Sequence, residues 1–367
     1  MRIRPFEPDD AAGVASLWQY WFRGKTRVPD PGLVELVRRM YVEYPSADAD
    51  VRPLVAEDER GKLLGFLGVT AMPVMVDGEE RTLAGIFPSV VDPEAPTAVA
   101  AFLLRKFLAG PQAFTFSDGG HVKFERIWEL LGGSIAQMQS LRWVKVFRPG
   151  AVGLAAAADR SSALRTLAPV LGPVVRGGDV AARRAARSRL TAQPVADYRS
   201  ETLAPAALAR HAPELLGGAR LWPRYDEAHV AWQFDQMAGI VEHGDFRAQL
   251  VRHGDAPVGW YVYYLKRGGV CRLFDLQADP RHLDAVVGQL FAEADEDGAG
   301  ALIGRMEPRL RGPMNRHGAL AHNGGSLLMV HSKDQSLVND ALLGRLAFSR
   351  LQGENWYWWA IKSRVVP

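Results

Sequence analysis

A single cysteine, Cys271, occurs in 367 residues. One thiol excludes an intramolecular disulfide and a zinc site built on several thiolates, and it points to a reducing compartment. Long apolar runs are also missing; none approaches the ~18 residues of a membrane span. The opening "MRIRPFEPDD" is charged from its second residue and carries no apolar stretch of the kind a secretory signal needs. A cytoplasmic protein is expected. Nor does charge of one sign dominate: 44 Lys and Arg face 41 Asp and Glu, a formal net charge of +3. Acids and bases alternate along most of the chain, whereas a duplex-binding protein concentrates its cations on one face, so no nucleic-acid partner is expected. There is no G-x-S-x-G, no Walker loop and no G-x-G-x-x-G following a strand. No histidine pair stands at ligand spacing with an acid, so no metal is expected; His317 and His322 read as solvated or hydrogen-bonded side chains.

What is present is a chain with 48% apolar residues, enough for a sizeable core, and about two domains long. A strand at residues 2–4 leads into a helix with Val14, Leu17, Trp18, Trp21 and Phe22 at helical spacing. A second helix carries Leu33, Leu36, Val37, Met40 and Tyr41 on one face. Asp77-Gly78 between apolar runs marks a hairpin. Strands are expected at 54–57, 63–73 and 81–91, then a helix over 96–108 with Val99, Phe102, Leu103 and Phe107 inward. "AFTFS" is a strand, "HVKFERIWELLGG" a helix and "SLRWVKVFRP" a further strand.

The later half repeats this order, with "EPRLRGPMNRHGALAHNGG" a helix ending in glycines and "GSLLMVHS" a strand. Gly65-Phe66 answers Gly259-Trp260, Asp92-Pro93 answers Asp279-Pro280, and Gly132-Gly133 answers Gly324-Gly325. Three landmarks in one order indicate two copies of one unit, at 1–150 and 195–367. Between them, 151–194 is an Ala- and Arg-rich linker with helical pieces. Its Arg183, Arg184, Arg187 and Arg189 form either a solvated helix face or a patch making weak contact with a membrane surface or acidic partner. Cys271 lies in an apolar strand pattern and reads as buried and inert.

The order of elements, with "IRPFEPDDAAGVASLW" and "LVAEDERGKLLGFLGV", resembles the GNAT superfamily of acyl-CoA-dependent N-acetyltransferases. "YDEAHVAWQF" and "FSRLQGENWYWW" resemble members associated with bacterial cell-surface polysaccharide and cell-wall pathways. The resemblance implies an α/β (α+β) protein of two tandem lobes, each a mixed, mainly antiparallel sheet with helices on both faces. It implies acetyl-CoA as acyl donor and an amine or hydroxyl acceptor, a small molecule or saccharide. The family's turn after the fourth strand reads roughly V-x-P-x-x-R/Q-G-x-G-x-G/A, and its backbone N–H groups hold the CoA pyrophosphate at a helix N-terminus. Here Val91, Pro93 and Ala101 match, while Pro96, Thr97 and Val99 depart; Val90, Val91, Thr97, Ala98 and Val99 are the implied cofactor contacts. In the second copy Pro280 and Gly288 match, while Leu283, Asp284 and Val286 depart.

Amine acylation needs a base for the ammonium proton and an acid for the departing thiolate. The family's Tyr acid is replaced by Trp128 in one copy and falls near Met314 in the other. Tyr263 and Tyr264 stand as replacements or as packing residues. Asp118 and Glu307, at matching strand ends, are candidate bases; Asp118 also suits a helix N-cap. An acceptor groove between the lobes is expected, fed by Asp118, Glu307 and Tyr263. "NWYWW" (355–359) is either a C-terminal strand on the second domain or an aromatic platform for a sugar ring. Two functions follow from the residues: an acyltransferase, or a catalytically silent binding or scaffold protein of the same fold.

Overall fold

The computed structural model describes residues 1–46, 48–353 and 356–362. Fifteen strands appear among them. The first half holds β1 (Arg2–Pro5), β2 (Leu54–Glu57), β3 (Leu63–Val76), β4 (Glu79–Val91), β5 (Phe114–Gly120), β6 (Ser134–Ile135) and β7 (Leu141–Val146). The second holds β8 (Tyr198–Thr202), β9 (Leu221–Pro223), β10 (Asp245–His253), β11 (Ala256–Leu265), β12 (Val270–Ala278), β13 (Ala301–Arg305), β14 (Leu320–Asn323) and β15 (Leu327–His331).

They form two sheets of matching design. The first runs β1-β2-β3-β4-β5-β15-β6, with β9 added to the far end of β3; the second runs β14-β7-β13-β12-β11-β10-β8. In both, neighbours are antiparallel except one parallel pair, β4 with β5 and β12 with β13. Three strands cross the boundary drawn at 150 and 195: β9, which adds to β3, and two that are exchanged between the sheets. β15, from the second half, pairs with β5 in the first sheet, and β7, from the first half, pairs with β13 in the second. Each half therefore lends the other the strand that covers its fifth-strand edge.

Helices α1 (Ala11–Trp18), α2 (Pro31–Tyr41), α3 (Ala98–Leu108) and α4 (Val122–Leu130) flank the first sheet. Val14, Leu17 and Trp18 are buried as their spacing implies, and so are Leu33, Leu36, Val37 and Met40. Phe102 is a correction: it is 48% exposed, while Val99, Leu103 and Phe107 on the same helix are buried. The stripe is narrower than the run of apolar letters.

A single core joins the lobes. Trp18, Phe66 and Val90 pack with Leu250, Trp260, Val262, Tyr264 and Phe274 across the interface. The C-terminal aromatics close this core. Asn355 lies outside the described residues, but Trp356 and Tyr357 are buried in the core and Trp358 begins a short helix, Trp358–Lys362. The stretch is thus not a strand.

The linker folds into two long helices, Pro149–Arg160 and Ser162–Ala185, and a short one, Arg187–Leu190. Asp179 accepts the backbone N–H groups of Gly150 and Ala151, closing the pair. Arg183 is bonded to the Asp295 carboxylate at 2.7 Å, so it anchors the hairpin to the second lobe. Cys271 is fully buried and its thiol is pushed up to about 11 by burial, as an inert core residue. Among the described residues no helix is long and apolar enough to cross a membrane.

Candidate active site

The site is created where a parallel pair comes apart. β4 and β5 are paired from Leu83↔Phe114 to Gly85↔Phe116. Beyond that, β4 keeps to β3 as far as Val91↔Gly65, and β5 keeps to β15 as far as Gly120↔Leu327. The two strands diverge, and a cavity of about 500 Å³ fills the fork. Ser89 and Pro88 line it from β4, Ser117, Gly119 and Gly120 from β5, Ala100 and Leu104 from α3, and Phe124, Ile127 and Trp128 from α4. Phe22 and Trp358 also line it, and the second lobe contributes Arg142, Arg272 and Phe274. The volume falls in the range of small-molecule sites, and the lining has the mostly apolar character of such sites.

The second sheet has the same fork. β12 and β13 part after Arg272↔Ile303. Here the chain's own Arg309 enters, donating from Nη2 to the Leu276 carbonyl and from Nε to Glu307 at 2.8 Å. The strand carbonyl that faces the gap is already occupied.

The turn from β4 into α3 is held by charge. Asp92 is 2% exposed, accepts from Arg27 at 2.8 Å, sits 3.4 Å from Lys62 and accepts the Glu94 N–H. The Arg27 hydrogen bond leads the effects that hold its carboxyl down to about 2. Thr97 and Ala98 are exposed at the helix start; Val99 is buried against Gly65, and Val90 is buried in the core. Val91 is half-buried and its carbonyl accepts from Trp21 Nε1 at 2.8 Å. Thr97 makes no side-chain cap, so the turn offers backbone donors and no side-chain cradle. In the second lobe Asp279 pairs with Arg281, and Asp284 with Arg316.

Asp92→Asn is expected to lower stability at pH 7 by about 1–2 kcal/mol, less than the whole shift because Arg27 is half in water. The folded value lies below the unfolded one, so this stabilisation is full above pH ~4 and fades as pH falls through about 2. Urea titrations of both proteins at pH 7 and pH 2.5 check the convergence.

The three residues expected to be catalytic do not meet. Asp118 is buried in β5, and its carboxylate turns to Arg350 at 3.5 Å and lies against Gly353, where a Cβ would come 2.5 Å from Oδ1. It is not at a helix start, since α4 begins at Val122. Glu307 pairs with Arg309 in the second fork. Tyr263 is fully buried, and its hydroxyl donates to Glu293 on the helix Leu283–Glu296 at 3.1 Å. Burial foremost, then the Glu293 charge, pushes its phenol far above the usual range. Tyr263 thus faces the helix, and the expected groove contact is corrected: Trp260, Val262 and Tyr264 take the lobe-facing side, Tyr261 and Tyr263 the other. Trp128 does occupy the fork, with its indole N–H committed to the Val330 carbonyl of β15 at 2.9 Å. His317 contacts Asp284, and His322 is exposed on β14. Among the described residues no cluster of three or more His, Cys, Asp or Glu side chains is placed to hold a metal ion.

Glu307 has a consequence beside it. Asp275 is 1% exposed and accepts from Trp260 Nε1 at 2.7 Å and Gln277 Nε2 at 3.1 Å. Burial pushes it up to about 6, and the Glu307 charge adds to the rise. A raised carboxyl means the folded state holds its proton more tightly, so the wild type loses stability as pH climbs from ~4 through about 6. Asp275→Asn is expected to gain about 3 kcal/mol on the wild type between pH 4 and pH 8. Paired thermal melts across that range read it directly.

The sequence reasoning missed His121, which follows β5 and lines the cavity, and Arg142, Arg272 and Arg350. For two of these a signal existed: Arg142 in "SLRWVKV", with Lys145, and Arg272 in "VCRLFDL", with Asp275, are charges inside largely apolar strands, where charges are uncommon. For Arg350, in irregular chain, there was none.

This geometry can be set beside known structures. No protein-family model matches the chain, and no curated protein matches it in sequence. Solved structures do match. A GCN5-related N-acetyltransferase from Kribbella flavida aligns at TM-score 0.54 and 18% identity, over 91% of this chain and 72% of that one. A probable N-acyltransferase from Enterococcus faecalis V583 aligns at 0.55 and 8% identity, over 90% and 72%. A GCN5-related N-acetyltransferase from Anabaena variabilis ATCC 29413 aligns at 0.55 and 12% identity, over 90% and 72%. The fold is that of the GCN5-related N-acetyltransferases. At such identities the likeness is one of fold, and function is argued from the site.

Proposed function

We propose that the protein is an acyltransferase that takes acyl-CoA in the fork of its first lobe and passes the acyl group to an amine or hydroxyl of a small-molecule or sugar-containing acceptor. The observation that carries this reading is the asymmetry of the two forks: one opens into a cavity of about 500 Å³, while in the other Arg309 already takes the Leu276 carbonyl. Acetyl-CoA is the proposed donor. Its thioester arm fits between Ser89 and Ser117, with the pyrophosphate at the start of α3, where Thr97 and Ala98 present helix N–H groups, the Val99 N–H being taken by the Pro96 carbonyl. In the transfer, the acceptor nitrogen or oxygen attacks the thioester carbon, the C–S bond breaks, and the acceptor's proton passes to a base while the thiolate leaves. His121 is the side chain we assign to proton transfer, because an imidazole ring carries both a donor and an acceptor nitrogen and it lines the cavity.

The commitment of the Trp128 indole to Val330 favours a second reading, a silent acyl-CoA-binding protein, since the family's acid is absent from that place. Acetyl-CoA at about 100 times its Kd is expected to add about 2.7 kcal/mol of stability. No thermal shift at millimolar acetyl-CoA overturns the donor site. A shift without turnover on any amine of a small-molecule panel, unchanged in His121→Ala, supports the silent reading.

A further inference from the structure

Three guanidinium groups from three separate segments line the cavity: Arg142 on β7, Arg272 on β12 and Arg350 in the chain after β15. Arg350 is 8% exposed, lies over the Phe274 ring at 5.4 Å and stands 3.5 Å from Asp118. Arg142 donates to the Ser326 hydroxyl at 3.2 Å. A fourth, Arg305, is also 8% exposed, behind them over Phe348. The cations oppose one another. Burial, then the Arg142 charge, lowers Arg272. Arg350 is pushed down to about 10 by burial; Asp118 offsets this in part, while Arg142, Arg305 and Arg272 add to it.

Gathering like charges away from water is among the more costly arrangements a fold can hold. The three groups do not cluster on a solvated surface, where they would cost little. Arg142 comes from the first half of the sequence and Arg272 and Arg350 from the second, and β7 reaches this place because it is exchanged into the second sheet. Planar guanidinium forks match the oxygen geometry of carboxylates and phosphates. The donor's own phosphates belong at the α3 end of the fork, whereas the arginines come from the second sheet and the segment after β15.

We propose that Arg142, Arg272 and Arg350 bind an oxyanion, a carboxylate or phosphate group carried by the acceptor, and so select anionic acceptors and orient them toward the fork. The assignment to the acceptor rests on the reading of the first fork as the acyl-CoA site.

The test uses the full chain, with inorganic phosphate and acetate as separate probes and calorimetry as the readout, each with and without acetyl-CoA. At least one probe is expected to bind, to bind equally well with acetyl-CoA present, and to weaken at least tenfold in Arg142→Gln and in Arg272→Gln. The tighter probe tells carboxylate from phosphate. If either Gln variant fails to fold, Arg272→Lys keeps the charge but not the fork, and a several-fold loss is expected. Neither probe binding the wild type, or binding that survives both Gln variants, overturns the anion site. Competition between probe and acetyl-CoA overturns its assignment to the acceptor, because the arginines then serve the donor's phosphates. Arginine-dependent probe binding in a protein that does not bind acetyl-CoA sinks the acyl-CoA reading and leaves the anion site standing.

Discussion

Ser89→Trp is expected to remove acetyl-CoA binding while leaving the fold intact. Ser89 sits on the diverging stretch of β4, half-buried, with its side chain at the cavity. An indole there fills space rather than displacing packed core, so overpacking strain is small compared with a substitution beneath α3. Loss of at least 100-fold in affinity corresponds to about 2.8 kcal/mol, and the melting temperature without ligand should stay within a few degrees of wild type. The matched control is Arg309→Ala, which frees the Leu276 carbonyl in the second fork. It should not alter acetyl-CoA affinity, because that fork has no part in donor binding. Calorimetric titration of the three proteins decides between the lobes; retained affinity in Ser89→Trp would move the site.

Separating the halves is expected to have the larger structural effect. Residues 1–150 alone lack β15, so the β5 edge from Thr115 to Gly120 loses its partner. They also lose Leu328, Met329 and Val330, all buried in the first lobe. At about 1.5–3 kcal/mol for each side chain, this is roughly 5–9 kcal/mol, of the order of a whole domain's stability. Residues 195–367 lose β7 with Trp143 and Phe147, both fully buried. Each half alone should be unfolded or aggregated, with an exposed strand edge to promote association. Co-expressed, they should form a soluble one-to-one complex with the circular dichroism of the intact chain. A cooperative thermal transition in isolated 1–150 would contradict the exchange.

The exchange also shows what the sequence could and could not carry. "SLRWVKVFRP" and "GSLLMVHS" both read as strands, and both are. Their partners could not be read, because an apolar strand pattern fixes which faces are buried and not which neighbour lies alongside. β11 shows the same limit on a smaller scale. Alternation correctly separates Trp260 from Tyr263, but "GWYVYY" is apolar on both faces, so the pattern could not say which face meets the other lobe. The pattern over 307–325 predicts one helix; the helix ends at Arg316, and 320–323 form β14, because Gly318 takes a left-handed turn at φ 68°. Strand ends at 54 and 91 and the helix end at 108 were legible because turn residues or charge bound them. The fork was legible as a place, through "VVDP" and "FSDGG". Its chemistry was not, since His121 and the arginines converge only through tertiary packing.

The most direct measurement is a crystal structure of the full chain with acetyl-CoA or its non-hydrolysable thioether analogue. Density for the pantetheine arm is predicted between residues 86–91 of β4 and 117–120 of β5, with the pyrophosphate at the start of α3 and Arg309 still in the second fork. Density between 276–278 and 304–306, with Arg309 displaced, or no bound ligand at millimolar concentration, would contradict it.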